Sequence, residues 1–124
     1  MDDDLPFNGV KVLDLSQGVA APYCGMMLAR NGASVIKVEP PGTGCWSRQL
    51  GKYKGDQTAH SVVVHRGKRS LGLNLKTNEG LTIAQKIAAN CNVILQNYRV
   101  GKIDKFDLDY DSVARINPSV VYLS

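Results

Sequence analysis

Val10-Lys11-Val12-Leu13-Asp14-Leu15 opens the stretch that decides the fold, and Ser34-Val35-Ile36-Lys37-Val38-Glu39 closes it. Both segments are rich in β-branched and aliphatic residues with mixed alternation, as expected of strands. Between them, Ser16-Gln17-Gly18-Val19-Ala20-Ala21 forms a loop that leads into Pro22. Proline suits the start of a helix because its missing N–H has no intrahelical partner there. A short helix is expected over Tyr23 to Asn31, with Met26, Met27 and Ala29 to pack and Gly32 to close it. Pro40-Pro41-Gly42 stops the second strand. Strand, helix and strand joined by short loops imply a parallel pair with a right-handed crossover.

Working outward, periodicity vanishes from Thr43 to His60, which reads as an irregular surface excursion. Ser61 to His65 and Leu71 to Leu75 are then expected as short strands flanking a basic turn. Thr77 is placed to cap a helix running to about Asn90, whose Leu81, Ala84, Ile87, Ala88 and Cys91 make one apolar stripe. Asn92 to Gln96 is a further strand, Tyr110 to Ile116 a helix ended by Pro118, and Ser119 to Leu123 a last strand. This alternation predicts an α/β fold with an open, Rossmann-like parallel sheet. Ligands of such sheets sit beyond the C-terminal strand ends. That rule nominates Gln17–Ala21, Pro40–Gly44 and Asn97–Gly101.

The charge distribution points the same way. The net charge is +4, but Arg48 to Lys105 holds eleven Lys/Arg against three Asp/Glu. Within it, Arg66-Gly67-Lys68-Arg69 runs straight into Leu71, Leu73 and Leu75, which share one strand face. A positive cluster tied to a sheet edge suits a phosphorylated small molecule. The clustered cations read equally well as solvated surface. No nucleic-acid motif accompanies them, so no nucleic-acid partner is expected.

Other chemistries find little support. Cys24, Cys45 and Cys91 are odd in number and have no CxxC pair, which suits reduced thiols in a cytoplasmic or organellar matrix compartment. The acidic opening Met1-Asp2-Asp3-Asp4 is unlike a signal peptide, and no apolar run reaches membrane-spanning length. His60 and His65 lack partners at ligand spacing, so no metal is expected. Asp104, Asp107, Asp109 and Asp111 lack the glycine and closing glutamate of a calcium loop, and cap the following helix instead. Ser16 and Ser70 have no paired base. Asp14 is read as structural. The first loop lacks GxGxxG and no Walker sequence follows a strand, which weighs against a nucleotide-binding module for NAD or ATP.

An ordered set of motifs resembles the N-terminal part of the class III CoA-transferases, a family that includes the 2-methylacyl-CoA racemases. The pieces are Gly9–Leu15, Ala21-Pro22, Gly32–Gly42, Gly67–Ser70 with Leu73 and Leu75-Lys76, Glu79-Gly80, Asn97-Tyr98-Arg99 with Gly101, and Asn117-Pro118. The resemblance implies residues 1–124 as a partial CoA-binding Rossmann-like domain of a longer, interlocked homodimer. It implies coenzyme A as cosubstrate, acyl-CoA and carboxylic acid substrates, and CoA transfer through an aspartyl-CoA thioester. The alternative it leaves is racemisation of a 2-methylacyl-CoA.

By the resemblance the catalytic aspartate falls beyond Ser124, so no catalytic residue is assigned here and the segment alone is expected to be inactive and marginally folded. Carried over position by position, the CoA contacts fall on Val19 and Ala20, on Leu73 and Lys76, on Asn97, Tyr98 and Arg99, and on Lys105. The chain departs from the family at Pro40, where Arg is common, and at Asn74, Gln96 and Val100, where Asp, Glu and Pro are usual.

Overall fold

The two sequence-proposed strands pair in parallel, Lys11 opposite Ser34 through Asp14 opposite Lys37, in the computed structural model, which describes residues 4–124. Of the acidic opening, Met1–Asp3 lie outside the described residues. The elements in chain order are β1 (Lys11–Asp14), α1 (Ala20–Arg30), β2 (Ser34–Glu39), a 3-10 turn (Trp46–Gln49), β3 (Tyr53–Lys54), β4 (Gln57–Thr58) and α2 (Ala59–His65). They continue with β5 (Arg69–Gly72), α3 (Asn78–Ala88), β6 (Val93–Leu95), a second 3-10 turn (Ile103–Phe106), α4 (Tyr110–Ile116) and β7 (Val121–Leu123). Five strands form one sheet in the order β5-β2-β1-β6-β7, and every pairing in it is parallel. This is the α/β Rossmann-like sheet expected from the sequence. The short β3–β4 hairpin stands apart from it.

Alternation along the strands divides the core. Leu13, Leu15, Val38 and Ile94 join Ala84 and Ala88 of α3 and Val113 of α4. Val12, Val35 and Leu95 meet Cys24 and Leu28 of α1 on the other side. Leu73 and Leu75 are buried and Leu71 packs against the same cluster, although only Leu71 lies within the strand. Burying each aliphatic side chain contributes about 1.5–3 kcal/mol, enough to fix the register, since a one-residue slip would exchange the two clusters. Helix caps follow the sequence: the Thr77 hydroxyl accepts from Gly80 N–H at 3.1 Å, and the Asp109 carboxylate accepts from Ser112 N–H at 3.1 Å.

Several expectations need correction. Residues 61–65 are helical, not extended. Thr58 and Ser61 form a reciprocal capping box that starts α2 at Ala59, and Ser61 and Val64 are buried while Val62 and Val63 are exposed. The three valines suggested a strand, but capping and a 3–4 residue burial period override that propensity. The strand expected over Leu71–Leu75 instead spans Arg69–Gly72, and α1 begins at Ala20, with Pro22 in its first turn. The 43–60 excursion contains the first 3-10 turn and the hairpin.

Lys68 is not solvated surface. Its side chain is 1% exposed and its ammonium reaches Asp14 Oδ2 and the Pro22 carbonyl, each at 2.6 Å. Lys37, equally buried, lies 3.3 Å from Asp14 Oδ1 and donates to the Ser16 carbonyl. Ser16 donates both its N–H, at 3.0 Å, and its hydroxyl to Asp14 Oδ1. A Cβ at Gly25 would stand 2.8 Å from Asp14 Oδ2 and 3.0 Å from Lys68 Nζ, so only glycine leaves room for this cluster under α1.

Asp14→Ala strands two buried cations and is expected to cost about 3–5 kcal/mol. Gly25→Ala is expected to cost about 1–3 kcal/mol through overpacking. Equilibrium urea denaturation of the full natural chain measures both, and a change under 0.5 kcal/mol in each would refute the constraint.

Candidate functional site

The chain runs from β1 outward to β2 and β5, then returns to place β6 on the other side of β1. The loops leaving β1 and β6 therefore diverge at a topological switch point, where open α/β sheets bind ligands. Asn97 spans that divergence. Its Nδ2 donates to the Gln17 carbonyl and its Oδ1 accepts from Gln17 N–H, both at 2.8 Å. Behind it, buried Gln96 accepts from Tyr98 N–H at 2.8 Å, which sets the course of the loop after β6.

Beside this staple lies a cavity of about 510 Å³ over the ends of β2 and β5. Val38, Leu73 and Leu75 supply apolar wall, Tyr98 and Phe106 close one side, and Lys76 and Lys102 bring cations. Tyr98 meets Phe106 edge-on, with ring centroids 6.1 Å apart, and burial pushes its phenol pKa up. Of the residues nominated from sequence, the structure brings Leu73, Lys76 and Tyr98 into this cavity and sets Asn97 on the Gln17 backbone beside it. Val19 caps α1 and Ala20 begins it; both are exposed and neither lines the cavity. Arg99 and Lys105 are exposed and lie outside it as well. Pro40 and Asn74, two of the departures from the family pattern, do line it. Lys102 is a lining residue that sequence reasoning did not single out; its only signal is one more cation in a basic loop.

The segment after β2 is held by Glu39. Arg48 grips its carboxylate with two bonds of 2.7 Å, Cys45 N–H adds a third of 2.7 Å and the Ser70 hydroxyl a fourth of 3.1 Å. Burial alone would raise the Glu39 pKa, but the Arg48 and Cys45 bonds outweigh it and hold the carboxyl at about 2. Cys45 is buried, and its Sγ accepts from Gly18 N–H and the Ser47 hydroxyl, each at 3.2 Å. Trp46 packs so closely over Gly18 that a Cβ there would run into the indole, and Gly18 also has φ +84°.

Ser47 Oγ stands 3.0 Å from His65 Nε2, and His65 Nδ1 is buried without a partner. Burial, helped by the nearby Lys68 ammonium, lowers the His65 pKa to about 4. Its imidazole is therefore neutral at pH 7. Two buried lysines against one Asp14 carboxylate leave a net positive charge beneath the switch-point loop, and the lysines hold that carboxyl below its ordinary pKa against the opposing effect of burial. Such a field favours anions in the crevice above it.

The His65 shift has a definite sign. Between pH 6.5 and about 4 the unfolded imidazole binds a proton that the folded one does not, so stability is lost as pH falls through this window. Glu39 adds a second loss as pH drops from 4.5 towards 2, as its unfolded carboxyl takes up a proton first. His65→Gln is expected to flatten the upper limb only. Urea denaturation at stepped pH tests this, and an unchanged slope between pH 6.5 and 4 would reject it.

Comparison with known proteins agrees with this geometry. Residues 7–124 match the family described as CoA-transferase family III. The chain is 38% identical over 125 residues to a human succinyl-CoA:glutarate CoA-transferase, covering 100% of this chain and 28% of that protein. It is 38% identical over 119 residues to an acetyl-CoA:oxalate CoA-transferase of Acetobacter aceti, covering 96% of this chain and 31% of that one. A crystal structure of a CAIB/BAIF family protein from Brucella suis superposes with a TM-score of 0.88 at 35% identity, over 94% of this chain and 32% of that chain. The chain thus spans less than a third of the length of these relatives. With its parallel sheet, its switch-point staple and a match over nearly its whole length, this chain belongs to CoA-transferase family III.

Proposed function

We propose that this chain is the CoA-binding part of an enzyme that moves CoA between a thioester donor and a carboxylic acid. The observation that carries the reading is the cationic, largely apolar cavity over the β2 and β5 ends, opening beside the Asn97–Gln17 staple. An apolar slot suits a purine, rim lysines suit phosphates, and a ligand running towards the switch point would present its thiol end at the crevice. Of the residues nominated from sequence, Lys76, Leu73 and Tyr98 are the contacts within the cavity. Asn97 acts by fixing the loop, while Val19, Ala20, Arg99 and Lys105 meet only parts of the ligand that extend beyond the cavity.

The names of the relatives favour transfer over racemisation, since they pair a CoA thioester with glutarate or oxalate. A dicarboxylic acid is accordingly the acceptor class we assign. In the mechanism implied by the family resemblance, an aspartate carboxylate attacks the donor thioester to give an acyl anhydride and CoA thiolate. The thiolate then takes the aspartyl carbonyl, releasing the donor acid and leaving aspartyl-CoA. Attack by the acceptor acid and a second CoA transfer complete the exchange. That aspartate is not among these residues, so we assign this segment binding and not bond-making, within a larger homodimer. No helix among the described residues is long and apolar enough to cross a membrane.

Incubating the full natural chain with labelled succinyl-CoA and free glutarate is expected to move the CoA to glutarate. Epimerisation of a 2-methylacyl-CoA with no such exchange would replace this reading with the racemase one. Lys76→Ala is expected to weaken CoA binding by roughly 10- to 150-fold, the loss of one charge-assisted bond of about 1.5–3 kcal/mol, with little change in melting temperature. Arg99→Ala is expected to cost less. Unchanged affinity for Lys76→Ala in isothermal titration would reject the cavity as the site.

A further inference from the structure

We propose that Lys102 is a phosphate-binding residue of this site, working with Lys76 from the opposite side of the cavity. The inference rests on the CoA reading above. Lys76 enters from the β5 side and Lys102 from the loop after β6, with the ends of β2 and β1 between them in the sheet. Neither lysine makes an ion pair among the described residues. Among the described residues the only carboxylate lining the cavity is Glu39, and its oxygens are already taken by Arg48, Cys45 N–H and Ser70. Two cations thus face a common space with no free counter-charge, which is the electrostatic condition for holding an anion.

Lys102 is also held in place. Its N–H donates to the Arg99 carbonyl at 3.0 Å, closing a turn in which Gly101 takes φ +79°. The turn brings the ammonium over the Tyr98 ring, 5.3 Å from its centroid. A cation held on an aromatic face at the cavity wall loses less freedom on meeting a phosphate than a free surface lysine. Lys105, the cation that the family resemblance put forward in this region, lies one 3-10 turn further on and does not line the cavity. Lys102 therefore supplies the positive charge on the β6 side of the cavity.

CoA offers two phosphate groups of the same chemistry, the ribose 3′-phosphate and the pyrophosphate, and the experiment separates them. Isothermal titration of the full natural chain and its Lys102→Ala, Lys102→Gln and Lys102→Arg variants would use CoA, dephospho-CoA and pantetheine. Lys102→Ala and Lys102→Gln are expected to lose roughly tenfold or more in CoA affinity, as for other charged hydrogen bonds. Lys102→Arg is expected to stay close to the natural protein, and pantetheine binding to be unaffected throughout.

A loss confined to CoA assigns Lys102 to the 3′-phosphate, and a loss shared by dephospho-CoA assigns it to the pyrophosphate. Unchanged CoA affinity, an equal loss for pantetheine, or full retention in Lys102→Gln would overturn the proposal. So would a loss seen in Lys105→Ala and absent from Lys102→Ala. Failure of the natural chain to bind CoA at all would instead reject the underlying CoA reading, and this inference with it.

Discussion

Asp14 sits at the end of β1 between two buried ammonium groups, Lys37 from β2 and Lys68 from the turn before β5. Moving three charges out of water costs several kcal/mol per ion, which their mutual attraction offsets only with good geometry and further hydrogen bonds. Those bonds come from Ser16 and from the Ser16 and Pro22 carbonyls. The cluster thereby ties together β1, β2, the entry to β5 and the first turn of α1. The loops after β1, β2 and β5 that shape the candidate site depart from those elements. Asp14 is the shared counter-charge, and removing it leaves two buried ammonium groups with none.

A second set of bonds rests on that frame. Glu39, two residues after Lys37 on β2, gathers Arg48, Cys45 N–H and Ser70. Cys45 in turn receives Gly18 N–H from the loop after β1. The segment after β2 is thus bound to the loop after β1, and Asn97 binds that same loop to the one after β6. The three loops nominated by topology form one connected shell. Its polarity is lopsided: the carboxylates are consumed internally, while Lys76 and Lys102 remain turned to the cavity. Two cations without a free carboxylate beside them give the cavity a positive field.

The parallel sheet was legible because its signals are local. Apolar segments bounded by Gly and Pro, and Thr77 or Asp109 ahead of apolar stripes, need no knowledge of distant residues. The misread segment fails for the complementary reason. Val62-Val63-Val64 has strand propensity, and only the Thr58–Ser61 box and the packing of Val64 reveal a helix. Lys68 is harder still, since its partner Asp14 lies 54 positions away and a cation beside Arg66 and Arg69 reads as surface. Within the site, Leu73, Lys76 and Tyr98 were reached through family resemblance, and the cavity joins them. Lys102 could not be told from Lys105 without the turn that places one against Tyr98 and leaves the other outside.

The packing of Trp46 over Gly18 has a practical side. Trp46 is the only tryptophan in these 124 residues, and its indole is 51% exposed at the mouth of the switch-point crevice. It covers the loop whose neighbour Gln17 both lines the cavity and carries the Asn97 staple. The segment therefore contains a built-in fluorophore, half in water and half against the Gly18 backbone. Its emission depends on how wet that loop is, an optical handle on the loop supplied by the protein itself.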